Sequence, residues 1–116
     1  SFNYTGTDGS LYVFEAPIDL LSYISLYPSD WQAHSYVACC GTSIQPVLEQ
    51  LRRQDIDSVY LCLDNDSAGQ KAAQRMEAEL SERGIYAEIV VPTLKDWNDD
   101  LRREEQEWTQ TSGLSL

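Results

Sequence analysis

Apolar, β-branched and aromatic residues gather in four short runs along this chain, and a stretch with helical spacing follows each run. The runs are Leu11–Phe14, Ser35–Cys39, Ser58–Leu63 and Ala87–Val91, the last closed by Pro92. Short, nearly continuous apolar runs suit strands of a parallel sheet, because both of their faces are covered. Pro17 opens the first helical stretch, where a missing N–H costs little, and Ile18 to Leu26 supply its apolar positions. Ser43 can cap a second through about Gln54, with Ile44, Val47, Leu48 and Leu51 at helical spacing. Ser67 can cap a third, along which Ala68, Ala72, Met76 and Leu80 recur every four residues and Gly84 marks the stop. A fourth starts near Asp96 or Asn98 and sets Trp97, Leu101 and Trp108 roughly on one side. This alternation predicts an α/β fold: an open, mainly parallel four-stranded sheet with right-handed crossovers, flanked by helices. Residues 1–10 read as a linker or fragment start, 11–108 as one domain, and 109–116 as a C-terminal tail. Ser1 in place of a Met points to a domain cut from a longer protein.

Composition narrows the classes. The 116 residues are 42% hydrophobic, enough for one core and too apolar for a disordered acidic tail. No run of 18 apolar residues exists, and no basic and apolar leader opens the chain, so neither a membrane span nor a secretory signal is expected. Cys39, Cys40 and Cys62 form no CxxC pair, and the lone His34 cannot complete a zinc site with them. They read as reduced strand residues of a cytoplasmic protein. Nineteen acidic against eight basic residues give a formal net charge of −11, and no Lys or Arg precedes Arg52. This balance cuts against a simple nucleic-acid coat, which needs a basic face, and direct phosphate contact in that half requires metal ions, backbone amides or a neighbouring domain.

The acids matter through their positions. Glu15 follows the first strand, Asp64 and Asp66 the third, and Asp96 the fourth. The carboxyl ends of parallel strands share one edge, where ligands bind, so distant segments deliver acids to one rim. Asp19 lies one helical turn beyond Glu15 and can face the same place. Clustered carboxylates repel unless cations hold them, and an all-oxygen donor set suits Mg²⁺ or Mn²⁺. Such ions polarise phosphoryl oxygens and clamp attacking and leaving oxygens. Asp64 to Arg75 is no EF-hand loop, since Ala68 and Arg75 stand where an oxygen ligand and Glu are needed. A receiver-type phosphoacceptor pairs two adjacent acids after its first strand, whereas here Ala16 and Pro17 follow Glu15. The plainer alternative is that Asp64 and Asp66 only cap a helix.

Taken in order, Glu15-Ala16-Pro17-Ile18-Asp19, Gly41-Thr42, Asp64-Asn65-Asp66-Ser67-Ala68-Gly69-Gln70-Lys71-Ala72-Ala73 and Lys95-Asp96-Trp97-Asn98-Asp99 resemble the Toprim domain. This Rossmann-like catalytic fold is shared by DnaG-type primases, type IA and II topoisomerases and several nucleases. The resemblance runs from about Leu11 to Leu101 and is closest to the primase branch, in proteins of plasmids and other mobile elements. It implies that Glu15 is a general acid/base or metal ligand and that Asp64 and Asp66 hold Mg²⁺ or Mn²⁺. Asp19 and Asp96 then match further acids of the primase site, and Gly41 a turn close to it. The position after Glu15 is usually Gly in the family; Ala16 fits there if its φ is negative. Asn98 stands where primases often carry a second Asp. Lys71, Arg75 and Lys95 are candidates for contacts with nucleotide phosphates.

The function that the resemblance implies is metal-dependent nucleotidyl transfer on a DNA template, as part of a primase-like replication protein. DNA and nucleoside triphosphates are the expected partners through the parent protein, with a replicative helicase or other mobile-element proteins beside it. A metal-dependent nuclease and a non-catalytic DNA- or protein-binding module are the competing classes.

Overall fold

A computed structural model describes residues 2–113. Five strands form one sheet: β1 (Phe2–Tyr4), β2 (Ser10–Phe14), β3 (Ser35–Ala38), β4 (Ser58–Leu61) and β5 (Tyr86–Ile89). Four α-helices follow β2, β3, β4 and β5 in turn: α1 (Pro17–Leu26), α2 (Gln45–Arg53), α3 (Ser67–Glu82) and α4 (Trp97–Ser112). The strand order is β1-β3-β2-β4-β5, with β3, β2, β4 and β5 parallel. The α/β reading with a mainly parallel sheet is therefore the observed architecture.

The sheet has one strand more than the sequence pattern predicts. Phe2–Tyr4, expected to be linker, pairs antiparallel with β3, Phe2 against Ala38 and Tyr4 against Tyr36. A three-residue exposed strand has no burial periodicity to betray it; its pairing is a long-range event. The expected tail differs as well. Thr109 to Ser112 continue α4, while 114–116 lie outside the described residues.

Alternation along the strands divides the core into two layers. Leu11, Val13, Val37, Val59 and Leu61 face α2 and α3, where they pack against Val47, Ala72, Ala73, Met76 and Leu80. Phe14, Tyr36, Ala38 and Cys62 face the other way, against Leu20 of α1 and Trp97 of α4. The chain thus leaves β2 toward one face and β4 toward the other. These two strands are neighbours, so their carboxyl ends flank a switch point, the place where open α/β sheets bind ligands.

Helix ends follow local chemistry. Gly84 stops α3 in a left-handed conformation, φ 75°, while Ile85 N–H bonds Leu80 O and Gly84 N–H bonds Ser81 O. The cap of α3 is Asp66 rather than Ser67, and that of α2 is Ile44, with Ser43 Oγ accepting from Gln45 N–H. Cys39, Cys40 and Cys62 are free thiols. Among the described residues no helix is long and apolar enough to cross a membrane.

Candidate metal centre

Three carboxylates from three elements meet beyond the switch point. Asp19 lies in the first turn of α1, Asp64 on the loop after β4, and Asp96 at the N-cap of α4. Each offers one oxygen, and the three oxygens lie within 4.8 Å of one another. Asp19 is 3% exposed, so this concentration of negative charge is partly out of water. Burial, followed by the neighbouring carboxylates Asp96 and Asp64, pushes Asp19 up to about 6, against the opposing hydrogen bond from Asn98 N–H. Burial likewise pushes Asp64 up to about 6, helped by Glu15, Asp96 and Asp66 and opposed by Lys95. Without a cation these groups hold protons far more readily than ordinary aspartates do.

Glu15 and Asp66 stand beside this trio rather than in it. Glu15 Oε1 accepts from Asp64 N–H at 3.3 Å, tying the exit of β2 to the exit of β4. Burial lifts its carboxyl above the usual range, with Asp66 and Asp19 adding and the Asp64 N–H opposing. Asp66 Oδ1 accepts from Gly69 N–H at 2.7 Å and caps α3, so the plain capping role does apply to this acid. Asp96 does the same for α4 through Asp99 N–H at 2.8 Å. A capping carboxylate has a second oxygen, and capping is compatible with ligation.

The remaining sequence candidates are spread more widely. Lys95 is exposed, and its charge reaches Glu15 and Asp64. Gly41 is exposed at φ 145°, a conformation that glycine adopts freely, and its N–H donates to Glu15 O at 3.1 Å. Lys71 and Arg75 are exposed on α3. Ala16 has φ −132°, so a methyl group there is unstrained.

Several residues that the sequence left without a role shape the site. A Cβ on Gly69 would lie 2.3 Å from Asp64 O and 2.7 Å from Glu15 Oε1, so only glycine lets α3 begin this close to the acids. Asn65, between the two acids of the loop, donates from its backbone to Lys95 O at 2.6 Å and from its side chain to Pro92 O at 3.2 Å. It thereby fastens the loop bearing Asp64 to the loop bearing Asp96. Asp100 accepts from the N–H groups of Thr93 and Leu94, both at 2.8 Å. Gly69 and Asn65 stand in the motif around Asp64, which was their signal; Asp100 offered none, because its partners are loop backbone.

The donor set fits a hard divalent cation. Asp64 Oδ1 is buried without a hydrogen-bond partner, an unusual and costly state for a carboxylate oxygen, and Asp64 is one of the three clustered acids. Mg²⁺ and Mn²⁺ take carboxylate oxygens and retain waters in such settings.

A family model described as Toprim-like matches residues 12–101, which span all the acids above. The chain belongs to the Toprim-like family. Among curated proteins it is 25% identical over 105 residues to the uncharacterized protein MG010 of Mycoplasma genitalium, covering 88% of this chain and 46% of that protein. It is 32% identical over 74 residues to the homologue in Mycoplasma pneumoniae, covering 61% of this chain and 35% of that one. The chain spans less than half the length of either relative. Among solved structures it resembles the primase fragment of the bacteriophage T7 primase-helicase protein, with a TM-score of 0.61 and 18% identity. That match covers 92% of this Toprim-like chain and 44% of the primase fragment, and it shows a shared fold.

Proposed function

We propose that this Toprim-like chain is the catalytic domain of a larger primase-like replication protein, joining nucleotides on a DNA template with the help of Mg²⁺ or Mn²⁺. The observation that carries the reading is the convergence of Asp19, Asp64 and Asp96 at the switch point, with a buried, unpartnered oxygen on Asp64. The fold shared with a phage primase fragment supports the same branch.

Asp19, Asp64 and Asp96 would hold the cation, with Asp66 next to them. When bound, it supplies charge stabilisation at phosphoryl oxygens, the main demand of phosphoryl transfer. Glu15, held above the ordinary carboxylate range, is suited to taking a proton from an attacking hydroxyl. Its hydrogen bond from Asp64 N–H fixes its carboxylate against the metal loop. Lys95 and Lys71 are the cationic side chains offered to nucleotide phosphates. DNA and nucleoside triphosphates are reached through the parent protein, with a replicative helicase or another mobile-element protein as its companion in the cytoplasm. A net charge of −11 is compatible with such substrates when bound cations and the basic parts of the parent carry the phosphates.

The test is ribonucleotide incorporation on single-stranded DNA by a polypeptide carrying this domain with the rest of its parent. Template-dependent synthesis in Mg²⁺ or Mn²⁺, lost in Asp64→Asn and Glu15→Gln, is the expected result. Cation-dependent cleavage of DNA or RNA, lost in the same variants, would replace it with a nuclease. The absence of both activities from the full-length parent would leave a non-catalytic module.

A further inference from the structure

The first turn of α4 joins three segments that carry the acids. Trp97 Nε1 donates to Cys62 O at 3.0 Å, two residues ahead of Asp64. Asn98 N–H donates to Asp19 Oδ1 at 3.2 Å, so the backbone of α4 touches the carboxylate of α1 directly. The Asn98 side chain then reaches a second point on α1, its Oδ1 lying 3.3 Å from Ser22 Oγ. Ser22 is 2% exposed and donates to Ile18 O at 2.7 Å. A hydroxyl has one proton, and the shorter bond to Ile18 claims it. With the amide turned over, Asn98 Nδ2–H donates to Ser22 Oγ and both groups are satisfied, an orientation that leaves the heavy atoms in place.

Asp19 and Asp96 repel each other, and among the described residues packing and hydrogen bonds keep α1 and α4 together at that end. The Ser22–Asn98 bridge lies one helical turn along α1 from Asp19 and two residues along α4 from Asp96.

We propose that Ser22 and Asn98 are positioning residues: their side-chain bridge holds α1 against α4 so that Asp19 joins Asp64 and Asp96 as ligands of one cation. The inference rests on the metal reading above. Outer partners of metal ligands commonly govern affinity by about 10- to 100-fold when removed.

The experiment is Mn²⁺ binding to the full chain, followed by the electron paramagnetic resonance signal of free Mn²⁺, well below the melting temperature. Four variants accompany the unsubstituted chain: Ser22→Ala, Asn98→Ala, the double variant, and Val59→Ala in the opposite core layer. Ser22→Ala and Asn98→Ala are each expected to weaken Mn²⁺ about 10-fold. The double variant is expected to bind no more weakly than either single one, because the two side chains act as a unit. Val59→Ala is expected to bind normally although it lowers the melting temperature. Normal affinity in both single variants would overturn the proposal, and so would equal loss in Val59→Ala, which would reduce the effect to general stability. If the unsubstituted chain bound no Mn²⁺, the metal reading itself would fall and the bridge with it.

Discussion

At the scale of single residues, the chain holds a costly concentration of negative charge. Asp64 has a buried oxygen with no partner, and Asp19 is almost wholly enclosed beside two other acids. Asp64→Asn removes a charge from that cluster, so the metal-free variant should be more stable than the parent chain, by about 1 kcal/mol. Thermal melting followed by circular dichroism checks this; a lower melting temperature would mean that Asp64 is already well compensated. Gly69→Ala should act in the opposite sense. Its methyl would meet Asp64 O at 2.3 Å and Glu15 Oε1 at 2.7 Å, and backbone cannot give way cheaply. The expected cost is about 1–3 kcal/mol together with displacement of Glu15. Melting plus the Mn²⁺ affinity of the variant measure the two effects separately.

At the scale of elements, the first turn of α4 organises the site. Trp97 is 3% exposed, meets Tyr23 edge-on with ring centroids 5.0 Å apart, and spends its N–H on Cys62 O. Trp97→Phe keeps an aromatic ring but strands that carbonyl, and should lower stability by about 1–2 kcal/mol in chemical denaturation. No change would mean that the indole N–H contributes nothing. The sequence made the strands around β2 and β4 legible, because Leu11, Val13, Val59 and Leu61 sit in unbroken apolar runs that only a covered sheet explains. It also placed Glu15, Asp64 and Asp96 on one edge. It did not separate them, and Asp66 shows why: an Asp three residues before a backbone N–H serves as a helix cap and as a ligand candidate with the same spacing. Nor could periodicity reveal β1, whose three exposed residues pair with β3 more than thirty positions along the chain. The bridge from Ser22 to Asn98 spans 76 positions and leaves no local trace.

At the scale of the whole molecule, electrostatics set how pH and cations act on stability. The formal charge of −11 makes self-repulsion a general burden, and the site concentrates it. Asp19 and Asp64 have folded-state values of about 6 against an ordinary 3.8. Between about pH 4 and 6 the folded chain therefore binds more protons than the unfolded chain, and stability from these groups rises as pH falls through that window. The metal-free protein should melt at a higher temperature at pH 5 than at pH 7.5, and saturating Mg²⁺ should shrink or reverse the difference by stabilising the deprotonated acids. A melting temperature that climbs with pH in the absence of metal would contradict the crowding of these carboxylates.

The most direct measurement is calorimetric titration of Mn²⁺ into the chain at pH 7.5, beside Asp64→Asn. The account predicts saturable binding by the unsubstituted chain and its loss in Asp64→Asn, with the variant still folded. Saturable binding that survives Asp64→Asn, or no binding by either protein, would contradict a metal centre built on Asp19, Asp64 and Asp96.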